Sequence, residues 1–293
     1  MSPPRERNDR PGRPSKPFSK PSGARSGERK EPGWTPDLAR EHGRSGKPAR
    51  ARRGEISQDW LWGWHAVKAA LANPARSGFK RLVVNPARTH ELHADAAKVA
   101  LRPEPMLPAD IARLLPPGAV HQGIALLAEP LESVDIETFA QSPSGLLVML
   151  DQVTDPQNVG AIFRSAAAFG ARGVIVQDRH APTLSGALAK AAAGAVDRVD
   201  HARVVNLSRA LESLTGSGWR VIGLDGQARE PLATILDSRP TVLVLGSEGD
   251  GLRRLISEHC DSLAHIPMPG QFDSLNVSAA AAIAFYAVYL AQG

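Results

Sequence analysis

From residue 145 onward, short apolar segments alternate with segments of helical periodicity. The apolar segments have the length of β-strands and no polar face, for example LLVMLD, GVIVQD and TVLVLG. The segments between them, such as VGAIFRSAAAFG, repeat apolar residues three and four positions apart, as a helix with one buried side does. This alternation predicts an α/β fold with a mostly parallel sheet covered on both faces. Ligands of such sheets bind beyond the carboxyl ends of the strands.

A smaller α/β unit precedes this alternation. The aromatic strand WLW runs into the helical segment HAVKAALAN, and the strands FKRLVVN and HQGIALLAEP follow. Trp60, Trp62 and Trp64 alternate, which predicts that they share one face in a core; stacking on bases is the alternative. The stretch LESVDIETFAQSPSG has weak periodicity and ends in turn residues, so it is predicted to be a linker. The predicted boundaries are a folded unit at 57–128, a linker at 129–144 and a larger domain at 145–293.

The N-terminal 56 residues carry most of the positive charge. They hold 15 Lys and Arg against 7 Asp and Glu, a net charge of +8, which leaves −3 for the rest of a chain whose total is +5. The segment is rich in Pro, Gly, Ser and Arg and lacks apolar periodicity, so it is predicted to be a disordered basic tail. Such a tail favours non-specific contact with RNA phosphates, and a solvated linker is the alternative. It has neither the apolar core of a secretory signal nor the composition of a transit peptide.

The single cysteine limits the chemistry. Cys260 cannot form an internal disulfide or a cysteine-based zinc cluster, and its isolation suggests a reducing cytoplasm. The longest apolar stretch, near the C-terminus, has about a dozen residues, whereas a bilayer-spanning helix needs about 20. A soluble, cytoplasmic protein is therefore expected.

Two loops that follow predicted strands carry polar residues. In DQVTDPQNVG, Asn158 is placed to cap the next helix, and Arg164 lies off the buried stripe of that helix; a cap and a surface charge would explain both. The loop GSEGDGL does not have phosphate-loop spacing, and Glu248 and Asp250 would repel a pyrophosphate. A positively charged ligand without phosphates suits it better, and a tight turn with two solvated acids is the alternative.

The start of the last helix carries more capping groups than it needs. Ser274, Asn276 and Ser278 all offer side-chain oxygens, and capping requires one, with Asn276 or Ser274 favoured. The helix itself is rich in alanine, including the run Ala279 to Ala282. Small side chains would let it lie close against other backbone while keeping high helix propensity. An ordinary alanine-rich helix is the alternative.

Taken in order, three segments resemble the motifs of the SPOUT superfamily of RNA methyltransferases, most closely the TrmH/RlmB-type ribose 2′-O-methyltransferases. The segments are DPQNVGAIFRSAAAFG, LVLGSEGDGL and IPMPGQFDSLNVSAAAAI. The smaller unit, with GWHAVKAAL and HQGIALL, is similar to the L30e-like RNA-binding domain of that family. The resemblance covers everything except the basic tail. It implies a SPOUT α/β domain with a trefoil knot, which pairs with a second copy as a homodimer.

The resemblance also implies a cofactor and a set of site residues. The cofactor is S-adenosylmethionine, bound by backbone groups near Leu245, Gly246, Ile266, Met268 and Leu275. The polar residues that it assigns to the catalytic set are Asn158, Arg164, Glu248, Ser274 and Asn276. Because a guanidinium stays protonated, Arg164 suits phosphate binding and stabilisation of charge on O2′ better than the role of a base. Methylation at oxygen needs no cysteine, unlike methylation at C5 of pyrimidines.

The favoured function is transfer of a methyl group to the ribose 2′-OH of a guanosine in the peptidyl-transferase region of 23S rRNA. A tRNA ribose 2′-O-methyltransferase is the first alternative, because target choice depends on surfaces spread over both domains. A non-catalytic RNA-binding or ribosome-assembly factor of the same fold is the second. A nucleotide-dependent oxidoreductase is disfavoured, since the chain lacks the glycine fingerprint that binds a dinucleotide.

Overall fold

The computed structural model describes residues 59–270 and 274–293. The predicted basic tail at residues 1–56 lies outside this part of the chain, as does the short stretch at 271–273. None of the helices in the described ranges is long and apolar enough to cross a membrane.

A four-stranded sheet forms the centre of the smaller unit. Its strands pair in the order first, fourth, second, third; the fourth is antiparallel to both neighbours, and the second and third are parallel. Helices cover both faces of this sheet. In chain order the elements are β1 (Trp60–Trp62), α1 (Trp64–Ala72), β2 (Phe79–Val84), a 3₁₀ helix (Pro86–Leu92), α2 (His93–Lys98), β3 (Glu104–Pro105), α3 (Pro108–Leu114) and β4 (Ile124–Ala128).

The tryptophan prediction is correct for two residues and wrong for the third. Trp60 and Trp62 are buried together in the core cluster that includes Ile111 of α3. Gly63 has a φ of +91° and turns the chain out of the strand, so Trp64 begins α1 instead of continuing β1. Trp64 packs beside the other core cluster, with the Arg88 guanidinium 3.5 Å from its ring centroid.

The larger sheet has seven strands, and every pairing in it is parallel. The prediction of an α/β fold with a parallel sheet is confirmed, and the sheet is parallel throughout rather than mostly so. In chain order the elements of the larger domain are α4 (Ile136–Ala140), β5 (Leu146–Leu150), α5 (Pro156–Ala168), β6 (Gly173–Gln177), α6 (Gly186–Ala192), β7 (Asp200–Val204), α7 (Leu207–Gly216), β8 (Arg220–Leu224), β9 (Glu230–Pro231), α8 (Leu232–Ile235), β10 (Thr241–Leu245), α9 (Arg254–Glu258), β11 (Ser262–His265) and α10 (Val277–Gln292). The order of the strands across the sheet is β7-β6-β5-β10-β8-β11-β9.

Two core clusters lie on opposite faces of this sheet. Val148 and Leu150 of β5 face the cluster built with α5, α6 and α10, and Leu147 and Met149 face the cluster built with α4 and α7. Residues that alternate along a strand point to opposite faces, so strands buried on both sides must be apolar at every position. This explains why these strands can be predicted from the sequence.

The stretch predicted to be a linker contains a short helix that packs on the sheet. Phe139 of α4 is 1% exposed, and the Trp219 side chain donates a hydrogen bond from Nε1 to the Phe139 carbonyl oxygen at 3.0 Å. Nearby, the Val134 backbone N–H donates to the His201 carbonyl oxygen at 2.8 Å. Tertiary packing therefore stabilises a helix whose five residues are too few to show a period.

The smaller unit packs directly against α6 and the 3₁₀ helix that follows (Ala195–Asp197). A Cβ on Gly194 would lie 2.9 Å from the His65 carbonyl oxygen, so only glycine allows this approach. Arg76 donates from Nε to Asp197 Oδ1 at 2.7 Å, and both side chains are 2% exposed. The smaller unit and the larger domain thus meet through close backbone packing and a buried ion pair.

Helix α10 packs on the face of the sheet that α5 covers. Ala281, Ala284 and Phe285 are fully buried there, whereas Ala279 is exposed. The small side chains of α10 thus serve packing at some positions only. The trefoil knot that the resemblance implies stays a prediction.

Candidate active site

A cavity of about 700 Å³ opens at the carboxyl edge of the seven-stranded sheet. Because all the strands are parallel, the loops after β8, β10 and β11 leave the sheet at this one edge, and the start of α10 closes the same region. Each of the five residues predicted near the cofactor lines this cavity: Leu245, Gly246, Ile266, Met268 and Leu275.

The loop after β10 folds back on itself. A Cβ on Gly246 would overlap the backbone of Gly251, so the two glycines come closer than any larger residue would allow. The Ser247 N–H donates to the Gly251 carbonyl at 3.0 Å, and the Gly251 N–H donates back to Ser247 at 3.1 Å. This narrow loop forms one wall of the cavity and carries Glu248.

Glu248 joins two asparagines into a polar cluster. Its Oε1 accepts hydrogen bonds from Asn158 Nδ2 at 3.1 Å and from Asn276 Nδ2 at 2.6 Å. Asn276 Nδ2 also donates to Asn158 Oδ1 at 3.0 Å. The Val277 N–H points at the same carboxylate oxygen at 3.4 Å, so the positive end of α10 faces a negative charge. We call Asn158, Glu248 and Asn276 the amide–carboxylate cluster.

The capping prediction is correct at Asn276 and wrong at Asn158. Asn276 Oδ1 accepts from the Ser278 and Ala279 N–H groups, at 3.0 and 3.3 Å, and so caps α10. Helix α5 begins earlier than predicted: Asp155 caps it by accepting from the N–H groups of Gln157 and Asn158, and Pro156 occupies the first turn. The Asn158 side chain is therefore free to bind Glu248.

The two remaining residues of the predicted catalytic set, Ser274 and Arg164, are not part of the amide–carboxylate cluster. Ser274 is exposed and lines the cavity without capping α10. Arg164 is an exposed residue of α5 that does not line the cavity, and it makes no hydrogen bond or ion pair with residues 59–270 or 274–293. Four of the five residues thus gather around the cavity mouth within one chain, and Arg164 stands apart.

Sequence reasoning missed two contributions to this edge. The loop Asp225 to Gln227, after β8, lines the cavity, and the Gln227 N–H donates to Asp225 Oδ1 at 2.8 Å. Asp151 directly follows β5, is fully buried and pairs with Arg253. Both acids come immediately after buried apolar strands, and this position in the sequence could have identified them as candidate site residues.

Cys260 takes no part in the site. Burial raises the pKa of its thiol to about 12, with smaller contributions from Asp261 and Asp151. A thiol with such a pKa is neutral near pH 7 and a poor nucleophile. Within the described residues, no group of three His, Cys, Asp or Glu side chains could hold a metal ion.

Comparisons with known proteins match both parts of the described chain. Residues 145–286 match the model of the SpoU rRNA Methylase family, and residues 60–134 match the model for RNA 2′-O ribose methyltransferase substrate binding. The chain is 38% identical over 174 residues to YacO of Bacillus subtilis, which is named within the TrmH family of tRNA/rRNA methyltransferases; the match covers 58% of this chain and 70% of YacO. The chain belongs to the SpoU/TrmH methyltransferase family.

Other relatives of this SpoU/TrmH protein carry similar names. An uncharacterized tRNA/rRNA methyltransferase of Synechocystis sp. is 34% identical over 84% of this chain and 66% of its own length. An uncharacterized tRNA/rRNA methyltransferase of Mycobacterium avium is 44% identical over 56% of this chain and 54% of its own length. The chain thus spans between about half and two thirds of these two curated relatives.

Solved structures show the same fold. The AdoMet-bound rRNA methyltransferase from Sinorhizobium meliloti aligns with a TM-score of 0.68 at 25% identity, over 78% of this chain and 85% of that one. A crystal structure of an RNA 2′-O ribose methyltransferase aligns with a TM-score of 0.62 at 25% identity, over 80% of this chain and 90% of that one.

Proposed function

We propose that this chain transfers a methyl group from S-adenosylmethionine to the ribose 2′-OH of a guanosine in 23S rRNA. The observation that carries the proposal is the amide–carboxylate cluster at the mouth of the cavity that the five predicted cofactor residues line. The AdoMet-bound relative from Sinorhizobium meliloti, an rRNA methyltransferase, supports the cofactor and the class of RNA. The domain division at residues 57–128, 129–144 and 145–293 is part of this proposal, supported by the family matches at 60–134 and 145–286.

The cavity suits this cofactor by its chemistry. Asp225, Glu248 and Asp250 line it, which favours a ligand with positive charge over one with phosphates. Gly246 and Gly251 bring bare backbone to the wall, so peptide N–H and C=O groups are available to an adenine and a ribose. Bound adenosylmethionine supplies an electrophilic methyl group next to its sulfonium.

The chain's own residues have three tasks in this reaction. Leu245, Gly246 and their neighbours hold the cofactor, and the amide–carboxylate cluster shapes the place where the ribose must lie, in line with the methyl group. Arg164 binds a phosphate and stabilises negative charge as it develops on O2′; its fixed positive charge makes it unsuited to act as a base. The 2′-OH proton leaves to solvent or to an RNA phosphate.

A homodimer would bring Arg164 to this chemistry. Within residues 59–270 and 274–293, Arg164 is exposed, makes no hydrogen bond or ion pair, and does not line the cavity of its own subunit. Helix α10 carries exposed apolar side chains, including Ile283 and Tyr286, and Phe169 at the end of α5 packs on that tyrosine with ring centroids 5.8 Å apart. We propose that a second copy covers this face and that Arg164 serves the site of the other subunit.

Nucleoside mass spectrometry tests the proposal. Unmodified 23S rRNA and bulk tRNA are each incubated with adenosylmethionine and the protein, its Arg164→Ala variant or an Arg209→Ala control, which removes an exposed arginine from α7 on the opposite face of the sheet. We expect 2′-O-methylguanosine in the rRNA with the wild type and the control, and little with Arg164→Ala. The same product in tRNA alone would identify a tRNA enzyme. No product, together with no binding of adenosylmethionine, would indicate a non-catalytic RNA-binding factor.

A further inference from the structure

Asp151 contacts both ends of the loop that carries Glu248. Its backbone N–H donates to the Leu245 carbonyl at 2.8 Å, where the loop leaves β10. Its carboxylate accepts from the Arg253 backbone N–H at 2.9 Å and from Arg253 Nε at 2.6 Å, where the loop ends. One buried residue, directly after the neighbouring strand β5, thus contacts both ends of the loop at residues 246–252.

The Asp151 carboxylate is buried, and its burial costs free energy of hydration. The Asp151 side chain is 0% exposed, whereas the Arg253 side chain is 44% exposed. A carboxylate without water is destabilising unless hydrogen bonds and an opposite charge compensate for its lost hydration, and even a well-made buried pair adds little net stability. Fold stability alone is therefore a weak reason for a charge at this position.

The geometry of the loop provides a better reason. Between its ends the loop is held by the mutual hydrogen bonds of Ser247 and Gly251, and its outward side chain, Glu248, reaches Asn158 and Asn276. A shift of about 1 Å at either end would move Glu248 out of hydrogen-bond range and change the cavity wall. Arg253 also donates from Nη2 to Gln177 Oε1 at 3.4 Å, which extends the anchor to the end of β6.

We propose that Asp151 is a positioning residue for the methyl-transfer site, acting through Arg253 on the loop 246–252. Asp151 does not line the cavity, and its hydrogen bonds go to the two ends of the loop that contributes to both the cavity and the amide–carboxylate cluster. The proposal rests on the proposed function for its effect on catalysis, but its effect on the loop is independent of any ligand.

Two variants and one matched control test this role. Asp151→Asn keeps the size of the side chain but removes its charge and turns an N–H group toward Arg253. Arg253→Ala keeps the backbone N–H and removes the guanidinium. Asp197→Asn is the control, because Asp197 is also a buried carboxylate paired with an arginine, but it lies at the junction with the smaller unit.

The first measurement is hydrogen–deuterium exchange without ligand, at a temperature where all proteins are folded. We expect exchange in residues 246–252 to rise at least tenfold in Asp151→Asn, to rise less in Arg253→Ala, and to stay at the wild-type rate in Asp197→Asn. Unchanged exchange in Asp151→Asn, or an equal rise in the control, would overturn the proposal.

The second measurement is calorimetric binding of adenosylmethionine, followed by KM and kcat for methyl transfer. We expect at least tenfold weaker binding and a higher KM for adenosylmethionine in Asp151→Asn, with wild-type binding in Asp197→Asn. Wild-type binding in Asp151→Asn would contradict the positioning role. A wild-type protein that binds no adenosylmethionine would contradict the proposed function and leave the exchange experiment to decide on Asp151.

Discussion

At the scale of single residues, Asn276 has two roles, one served by its side-chain oxygen and the other by its side-chain nitrogen. Its Oδ1 caps α10, and its Nδ2 donates to Glu248 and to Asn158. Most N-cap residues use an oxygen only, and serine caps about as well as asparagine. The amide nitrogen of Asn276 is therefore needed for the amide–carboxylate cluster and not for the helix.

Asn276→Ser is expected to separate these roles. Serine retains the cap, so the free energy of unfolding should change by less than about 1 kcal/mol. The loss of the donor to Glu248 should lower kcat/KM for methyl transfer at least tenfold. Chemical denaturation and initial rates measure the two effects, with Asn206→Ser at the cap of α7 as control. Equal activity of the two variants would show that the cluster does not contribute.

His201 makes stability depend on pH. Burial, together with the positive charges of Arg203 and Arg76, lowers the pKa of His201 to about 4, and its Nε2 has no hydrogen-bond partner. In the unfolded chain a histidine has a pKa of about 6.5. Between that pH and about 4, His201 is protonated in the unfolded chain and stays neutral in the folded chain. Stability should therefore fall by roughly 3 kcal/mol between pH 6.5 and 4. Denaturation at pH 7.5 and 5 should show a smaller decline in His201→Gln than in the wild type.

At the scale of elements, α10 has one buried and one exposed apolar side. Val277, Ala281, Ala284, Phe285 and Val288 face the core, while the opposite side carries side chains that are between 45% and 60% exposed: Ile283, Tyr286, Tyr289 and Leu290. A row of large apolar side chains along one helix is typical of a surface that a partner covers. This row is the part of the homodimer proposal that a single substitution can test.

Ile283→Asp is expected to weaken the dimer. A charge in the middle of a covered apolar surface would lose its hydration without gaining a partner. Size-exclusion chromatography with light scattering should show about half the wild-type mass. Val205→Asp is the control, since Val205 is 72% exposed and directly precedes Asn206, the cap of α7, a helix that packs on the other face of the sheet. A monomeric wild type, or a variant of unchanged mass, would contradict this interface.

The elements could be predicted where local pattern and tertiary packing agree. The strands β5, β6, β8 and β10 were visible because both of their faces are buried, and the edge of the sheet where their loops meet followed from the parallel order. Helix α4 could not be seen, because Phe139 and the hydrogen bond from Trp219 stabilise it from outside the segment. The cap of α5 was misplaced because Asp155 and Asn158 are both good caps and only the backbone decides between them. The pairing of Asp151 with Arg253 joins residues 102 positions apart, which no local pattern reveals.

At the scale of the whole molecule, the smaller unit is attached to the sheet by more than its connecting chain. Arg76 and Asp197 form a buried ion pair, and Asn73 Nδ2 also donates to Asp197 Oδ1 at 3.1 Å. Gly194 lets the backbones of the two parts come into contact beside this pair. The smaller unit and the larger domain are therefore in direct contact through a buried ion pair and close backbone packing.

Removal of one partner of this ion pair should be strongly destabilising. Asp197→Ala leaves the Arg76 guanidinium buried without a counter-charge, which typically costs about 3–5 kcal/mol. Urea denaturation measures the loss. Glu104→Ala, which breaks the exposed pair with Arg81, is the control and should cost less than about 1 kcal/mol. Similar losses of unfolding free energy in both variants would mean that burial of the Arg76–Asp197 pair does not increase its contribution to stability.

The hydrogen bond from Asn276 to Asn158 joins residues that are 118 positions apart. A contact across such a separation requires a long loop of chain to close, which costs conformational entropy. The parallel pairing of β5 with β10 brings the start of α5, which carries Asn158, and the loop that carries Glu248 to one edge of the sheet, so the amide–carboxylate cluster depends on that pairing. Under the proposed function, a chain in which β5 and β10 are unpaired should not transfer methyl groups, and activity recovered during refolding should appear no earlier than the sheet.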